Sequence, residues 1–213
     1  MSDPFSTLIP DARRFLSELA DNNTREWFLD RRPSYEEKLK APATALLDII
    51  AADLGPGTET KLFRPHRDVR FSKDKTPYHT HLHMLWSLPT DSKPRPALFF
   101  GIGLDYVSVG VGVMGFDKTA LPVWRAAVDG DLGADLQAEL DRLSSSGMRV
   151  GEPELKRVPA PYDKDHSHGA LLRRKSLSVW YDLEEAEFAS PLAAIRTTHQ
   201  KLGPLLGSFE AIF

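Results

Sequence analysis

The chain contains no cysteine, which excludes disulfides, thiolate metal ligands, iron–sulfur ligation and cysteine nucleophiles together. Such a composition suits a reducing compartment, and the cytoplasm is the expected location. Long apolar runs are also lacking: no stretch approaches the ~18 consecutive apolar residues that a membrane-spanning helix requires. The opening segment MSDPFSTLIPDARRF carries Asp3 and Pro4 where a signal peptide would place a basic segment and an apolar run. Export by the usual route is therefore not expected, and a membrane is not an expected partner. Nor is there a global excess of positive charge. With 27 basic and 30 acidic residues the formal net charge is −3, which argues against duplex nucleic acid, whose binders need a basic face over the whole domain.

What the chain does have is enough apolar material for a core. Its 213 residues, 41% of them apolar, predict one compact domain spanning residues 1–213. From Asp11, the positions Ala12, Phe15, Leu16 and Leu19 follow helical spacing, and Asn22–Asn23 end the pattern. Asn23 or Thr24 can cap the next segment, in which Trp27 and Phe28 read as core anchors. Ser34 and Glu37 have the spacing of a capping box, predicting a helix that runs to Gly55 with a kink or split at Pro42.

After Gly55 the apolar period changes from 3.6 to 2. Short strands are predicted at 61–64 and 69–71. From His79 to Trp86 the alternation sets Thr80, Leu82, Met84 and Trp86 on one face and His79, His81, His83 and Leu85 on the other. Two more strands follow at 97–104 and 106–113, the second with Ser108, Gly110 and Gly112 opposite its valines, a face that something can approach closely. Helical spacing returns at 121–128 and 132–143. A proline-bearing irregular loop covers 152–165, a helical turn 168–174, a strand 176–183, and a terminal helix starts at Ser190–Pro191. Helices, then strands, then helices again predict an α+β fold with a mostly antiparallel sheet.

Several stretches together resemble one family, the domain of unknown function 2461 family of bacteria and fungi. They are NNTREWF at 22–28, RDVRFSKDKTPYHTH at 67–81, GVGVMG leading to LPVWR at 110–125, and ELKRVP with LLRRKS at 154–176. The resemblance spans nearly the whole chain and implies a compact α+β domain with no established activity. His79 and His83 depart from the family pattern, which typically has a lysine and a small residue there; His81 fits it.

The chemistry centres on the segment from Lys61 to His83, where six Lys/Arg face two acids in a chain that is negative overall. Such a local excess attracts anions. Arg67 and Arg70 can give bidentate donors to phosphate or carboxylate, Lys73 and Lys75 point charges, and Tyr78 and His81 hydrogen bonds at the pocket edge. A second cationic group, Lys156, Arg157, Arg173, Arg174 and Lys175, lies far away in sequence. If the two groups converge they form one Arg/Lys-lined pocket, in which Asp68 and Asp74 could act as a base or hold magnesium.

Other patterns carry less. Two of the three strand histidines could converge on zinc, about 6.6 Å apart along the strand, but three could not, and hydrogen-bonded surface histidines are the preferred reading. The same holds for the cluster from Asp165 to His168. Gly110, Gly112 and Gly115 spell GxGxxG but fall inside an alternating strand rather than a βαβ turn. The S-x-x-K pair Ser72–Lys75 lacks the helix that its chemistry depends on. No metal and no cofactor is assigned. The leading expectation is a soluble domain binding a phosphate-bearing or other anionic small ligand, with or without catalysis. The rivals are a scaffold domain whose cations form internal ion pairs, and a weak single-stranded nucleic-acid binder stacking bases on Tyr78, Trp86 or Tyr106.

Overall fold

Leu8, Ala12, Phe15, Leu16 and Leu19 repeat along one helical face. In the computed structural model, which describes residues 3–213, they form the buried stripe of α1 (Leu8–Asp21). The helix starts before Asp11 because Leu8 and Ile9 are buried with the same stripe. The Thr24 hydroxyl caps α2 (Arg25–Tyr35), accepting the Trp27 N–H at 3.2 Å, a contribution of about 1 kcal/mol. Phe28 is buried, whereas Trp27 is half-buried against Phe15 at 5.5 Å. Ser34 lies inside α2 and opens no helix. Instead the chain passes through a π-helical turn, Glu36–Lys40, into α3 (Ala41–Leu54). The wide turn sits just ahead of Pro42, which has no N–H for the Lys38 carbonyl and whose ring crowds that group.

The strands β1 (Glu59–Leu62), β2 (Leu82–Ser87), β3 (Ala97–Ile102), β4 (Val107–Val113), β5 (Arg149–Val150) and β6 (Leu177–Asp182) form one antiparallel sheet in the order β1-β2-β3-β4-β6-β5. The alternation around the histidines holds: Leu82, Met84 and Trp86 are buried, and His83 and Leu85 half-buried. No strand forms at 69–71. Residues 66–78 make a loop closed at its base by an isolated antiparallel bridge between His66 and Tyr78. The unpredicted β5 has two residues, Arg149 opposite Trp180 and Val150 opposite Val179. The close approach expected at the glycines of β4 comes from β6. A Cβ on Gly110 would lie 2.4 Å from the Trp180 ring, and one on Gly112, at φ +156°, would lie 2.1 Å from the Leu177 carbonyl oxygen.

The chain divides into two compact units. The first comprises the chain up to Trp86, Phe99–Val109 and Asp182–Thr197. In it α1 packs on α2, α3 packs on β1, and the fully buried Trp86 gives its indole N–H to the Leu47 carbonyl at 2.9 Å. The second comprises Ser87–Leu98, Gly110–Tyr181 and Thr198–Phe213. Its helices α4 (Ala120–Asp129), α5 (Leu132–Ser145) and α6 (Gly169–Leu172) surround Trp124, which is fully buried, stacks on Phe116 at 4.7 Å and donates to the Leu171 carbonyl at 3.0 Å. The single terminal helix expected from the apolar stripe is two, α7 (Pro191–Lys201) and α8 (Gly203–Ile212), because Gly203–Pro204 interrupts the hydrogen-bond ladder. The segment 151–168 is irregular, as its prolines predict. Among the described residues no helix is long and apolar enough to cross a membrane.

Candidate functional site

The first cationic group occupies the 66–78 loop, and the loop itself takes up most of it. The Arg67 guanidinium donates through one nitrogen to the Asp74 carboxylate and to both the carbonyl (3.1 Å) and hydroxyl of Thr76. Arg70 forms a two-pronged pair with Asp68, at 3.0 and 2.7 Å, and Lys75 donates to the Val69 carbonyl at 3.0 Å. Asp74 is held down to about 2 by the Thr76 N–H first, then by Arg67 and the Thr76 hydroxyl, and Arg70 lowers Asp68 in the same way. Both acids are thus bound as anions by their neighbours. Lys73 is exposed with no ion-pair partner among the described residues, and Phe71 at the loop tip is 97% exposed.

Tyr78 closes the loop with its ring packed into the fold, on the wall of a cavity that Arg67, Arg70, Lys73 and Lys75 do not line. It is 3% exposed and stacks on Phe28 at 4.1 Å. Trp86 is fully buried, so neither ring offers a face to a nucleic-acid base. Tyr106 is 41% exposed and shares a 2.6 Å hydrogen bond with His83 Nε2.

The histidines form a ladder along one edge: His79 lies on His81 at 4.6 Å, and His81 on His83 at 3.8 Å with the rings nearly parallel. Parallel stacked rings keep their nitrogens side by side rather than converging on a single point. Burial, followed by the neighbouring histidines, pulls His83 down to about 4, and His81 is lowered by the same causes. Among the described residues no group of three or more His, Asp or Glu is arranged to hold a metal ion.

The second cationic group splits. Arg174 is buried, donates to the Gly151 carbonyl, and leaves its Nε without a partner. Lys175 donates its backbone N–H to the Glu154 carboxylate at 2.7 Å. Lys156, Arg157 and Arg173 come together with Lys164, His166 and Ser167 around an open basin of about 680 Å³, drawn entirely from the second unit. Among the described residues no acid lines it. Lys156 and Arg157 have no carboxylate partner among the described residues, and Arg173 uses only its Nε, toward the Gly169 carbonyl at 3.3 Å. Lys164 lies 3.6 Å from Asp165 in a fully surface-exposed pair.

His166 supports the basin without being free for chemistry. Its Nδ1 accepts the His168 N–H at 3.0 Å, which fixes the proton on Nε2, and Nε2 faces the Asp129 carboxylate at 3.0 Å. His168 is tied by Nδ1 to the Val128 carbonyl at 2.9 Å. The Asp165–His168 cluster is thus a hydrogen-bonded turn beside the cations. His166 and Ser167 entered the sequence reading only within the Asp165–His168 cluster weighed for metal, and Lys164 escaped it because the loop from 152 onward has no period. Its density of cations, together with α6 returning Arg173, was the available signal.

No curated protein matches the chain. The family model described as conserved hypothetical protein (DUF2461) matches residues 11–206, which takes in the 66–78 loop, the histidine ladder and the whole basin. The chain belongs to the DUF2461 family.

Proposed function

We propose that the protein binds a phosphate-bearing or other anionic small ligand, and that the ligand sits in the basin of Lys156, Arg157, Lys164 and Arg173. The observation that supports this reading is the charge inventory of the basin: four cations, one hydroxyl and an imidazole, with no acid among the lining residues. Arg157 and Arg173 can present planar, two-pronged donors while Lys156 supplies a mobile point charge. With both nitrogens of His166 committed, the reading is of binding rather than acid–base catalysis. The lack of cysteine supports a cytoplasmic setting.

A structural role is the better reading of the first cationic group. Arg67, Arg70 and Lys75 all end on acceptors within their own loop.

Thermal melts with inorganic phosphate test the proposal. Phosphate at ~100 times its dissociation constant adds ~2.7 kcal/mol to stability, so the melting temperature should climb with concentration. Arg157→Ala, at an exposed position, should abolish the climb and leave the ligand-free melt unchanged. A climb that survives Arg157→Ala and Arg173→Ala but disappears in Arg70→Ala would move the site to the loop and overturn the assignment.

A further inference from the structure

A second cavity, of about 440 Å³, lies in the first unit beside the π-helical turn. Its walls are mostly apolar, with Phe28, Leu29, Leu62 and Phe63 among them. Tyr35 and Tyr78 also line it; they are 6% and 3% exposed as residues, neither hydroxyl bonds to another described residue, and neither oxygen is fully buried, so both keep contact with solvent. Two hydroxyls that make no bond within the chain leave two donors on one cavity wall for a ligand to use in place of water. The rings cannot turn away: Phe28 stacks on Tyr78 and packs against Tyr35 at 5.3 Å. Burial pushes the Tyr35 hydroxyl up to about 12, so it stays protonated and able to donate.

The charges at the rim narrow the ligand further. Arg32 and Lys40 both engage Glu36, at 3.7 and 2.7 Å, whereas Arg64 forms no ion pair among the described residues. One cation without an ion pair, though near enough to Asp68 to lower its pKa, joins two phenol donors and an apolar wall to match a monoanion with two acceptor oxygens on a hydrophobic body. A phosphate dianion fits this wall poorly, and the basin of the other unit offers it more cations. Glu36 and Lys40 are the first and last residues of the π-helical turn, a distortion that recurs at functional sites.

We propose that this cavity binds a small carboxylic acid with an aromatic or aliphatic body, its carboxylate taken by Arg64 and by the hydroxyls of Tyr35 and Tyr78. This is a site separate from the phosphate basin.

Calorimetric titration of the full chain with 4-phenylbutyrate, decanoate and the neutral 4-phenylbutan-1-ol tests it. At least one carboxylate should bind saturably, and 4-phenylbutyrate about tenfold more tightly than its alcohol. Arg64→Ala, at an exposed position, should weaken carboxylate binding about tenfold and leave the alcohol unchanged. Tyr35→Phe and Tyr78→Phe each delete one oxygen and should weaken it about fivefold. Arg157→Ala should have no effect, which keeps this test independent of the basin. The proposal is overturned if neither carboxylate binds, if Arg64→Ala binds as tightly as the parent, or if Arg157→Ala abolishes binding.

Discussion

Asn23 holds the backbone of Tyr78 with both ends of its amide. Nδ2 donates to the Tyr78 carbonyl at 3.0 Å, and Oδ1 accepts the Tyr78 N–H at 3.1 Å. One side chain thereby stands in for a strand partner, joining the start of α2 to a loop end 55 residues away. Two hydrogen bonds at about 1 kcal/mol each set the expected cost of Asn23→Ala at about 2 kcal/mol in urea unfolding. Asn23→Asp should cost more, because it loses the donor and faces a carboxylate oxygen toward the Tyr78 carbonyl. A cost near zero for both variants would show that the bracket contributes nothing.

The two loop arginines should separate cleanly. Arg67 is the less exposed, with 21% of its side chain in solvent against 78% for Arg70, and it meets three acceptors on Asp74 and Thr76. Arg67→Ala should lower stability by about 1 to 2 kcal/mol and open the 66–78 loop to limited proteolysis. Arg70→Ala should leave the melting temperature and the cleavage pattern as they are. Equal effects would contradict the geometry.

Acid should begin to weaken the fold above the ordinary carboxylate range. His83 is neutral in the fold because its pKa is pulled to about 4, whereas in the unfolded chain it takes a proton near its ordinary ~6.5. The unfolded state therefore binds more protons between these values, so the stabilisation is full above pH ~6.5 and lost as the pH falls toward 4. His79, His81 and the half-buried His199 are shifted in the same sense. Urea unfolding from pH 7 down to 4.5 should show a fall of roughly 2 kcal/mol after allowance for partial exposure. His83→Gln should flatten part of that slope; an unchanged slope would remove the ladder as its source.

Gly112 and Gly110 should not tolerate alanine equally. A Cβ on Gly112 meets the Leu177 carbonyl oxygen and, at 2.6 Å, the Ser178 Cα, both backbone atoms of β6 that cannot yield. Gly112→Ala is expected to cost more than about 3 kcal/mol or to prevent folding. At Gly110 the obstacle is the Trp180 ring, a side chain that can swing aside, so Gly110→Ala should be the milder change in thermal melts. The reverse order would mean that β6 yields more readily than the indole.

What could be read from the residues follows a physical boundary. Long apolar periods decide helices and strands by burial, so α1, β2 and β4 emerge within a few residues of their bounds. Three residues at 69–71 carry no usable period, and the loop there is held by side chains reaching backbone, a pattern that periodicity does not encode. The two-residue β5 owes its existence to its partner β6. Site residues divide in the same way. Cation density marked Lys156, Arg157 and Arg173, but which cations stay unpaired depends on contacts such as Arg70 with Asp68, which only three dimensions decide. Tyr78 reads from the sequence as a hydrogen-bonding residue, but its place beside Tyr35 on one cavity wall follows from the packing of Phe28 against both rings.

The π-helical turn between α2 and α3 also works as a spacer. Its hydrogen bonds reach five residues back rather than four, so it takes up one residue more than a regular turn without throwing the following helix out of phase. Ala43, Leu46, Leu47 and Ile50 keep their buried side for that reason. Excising one residue between Glu36 and Lys40 would let the segment close as ordinary helix with that stripe in place, whereas inserting one after Lys40 would turn the stripe by about 100°.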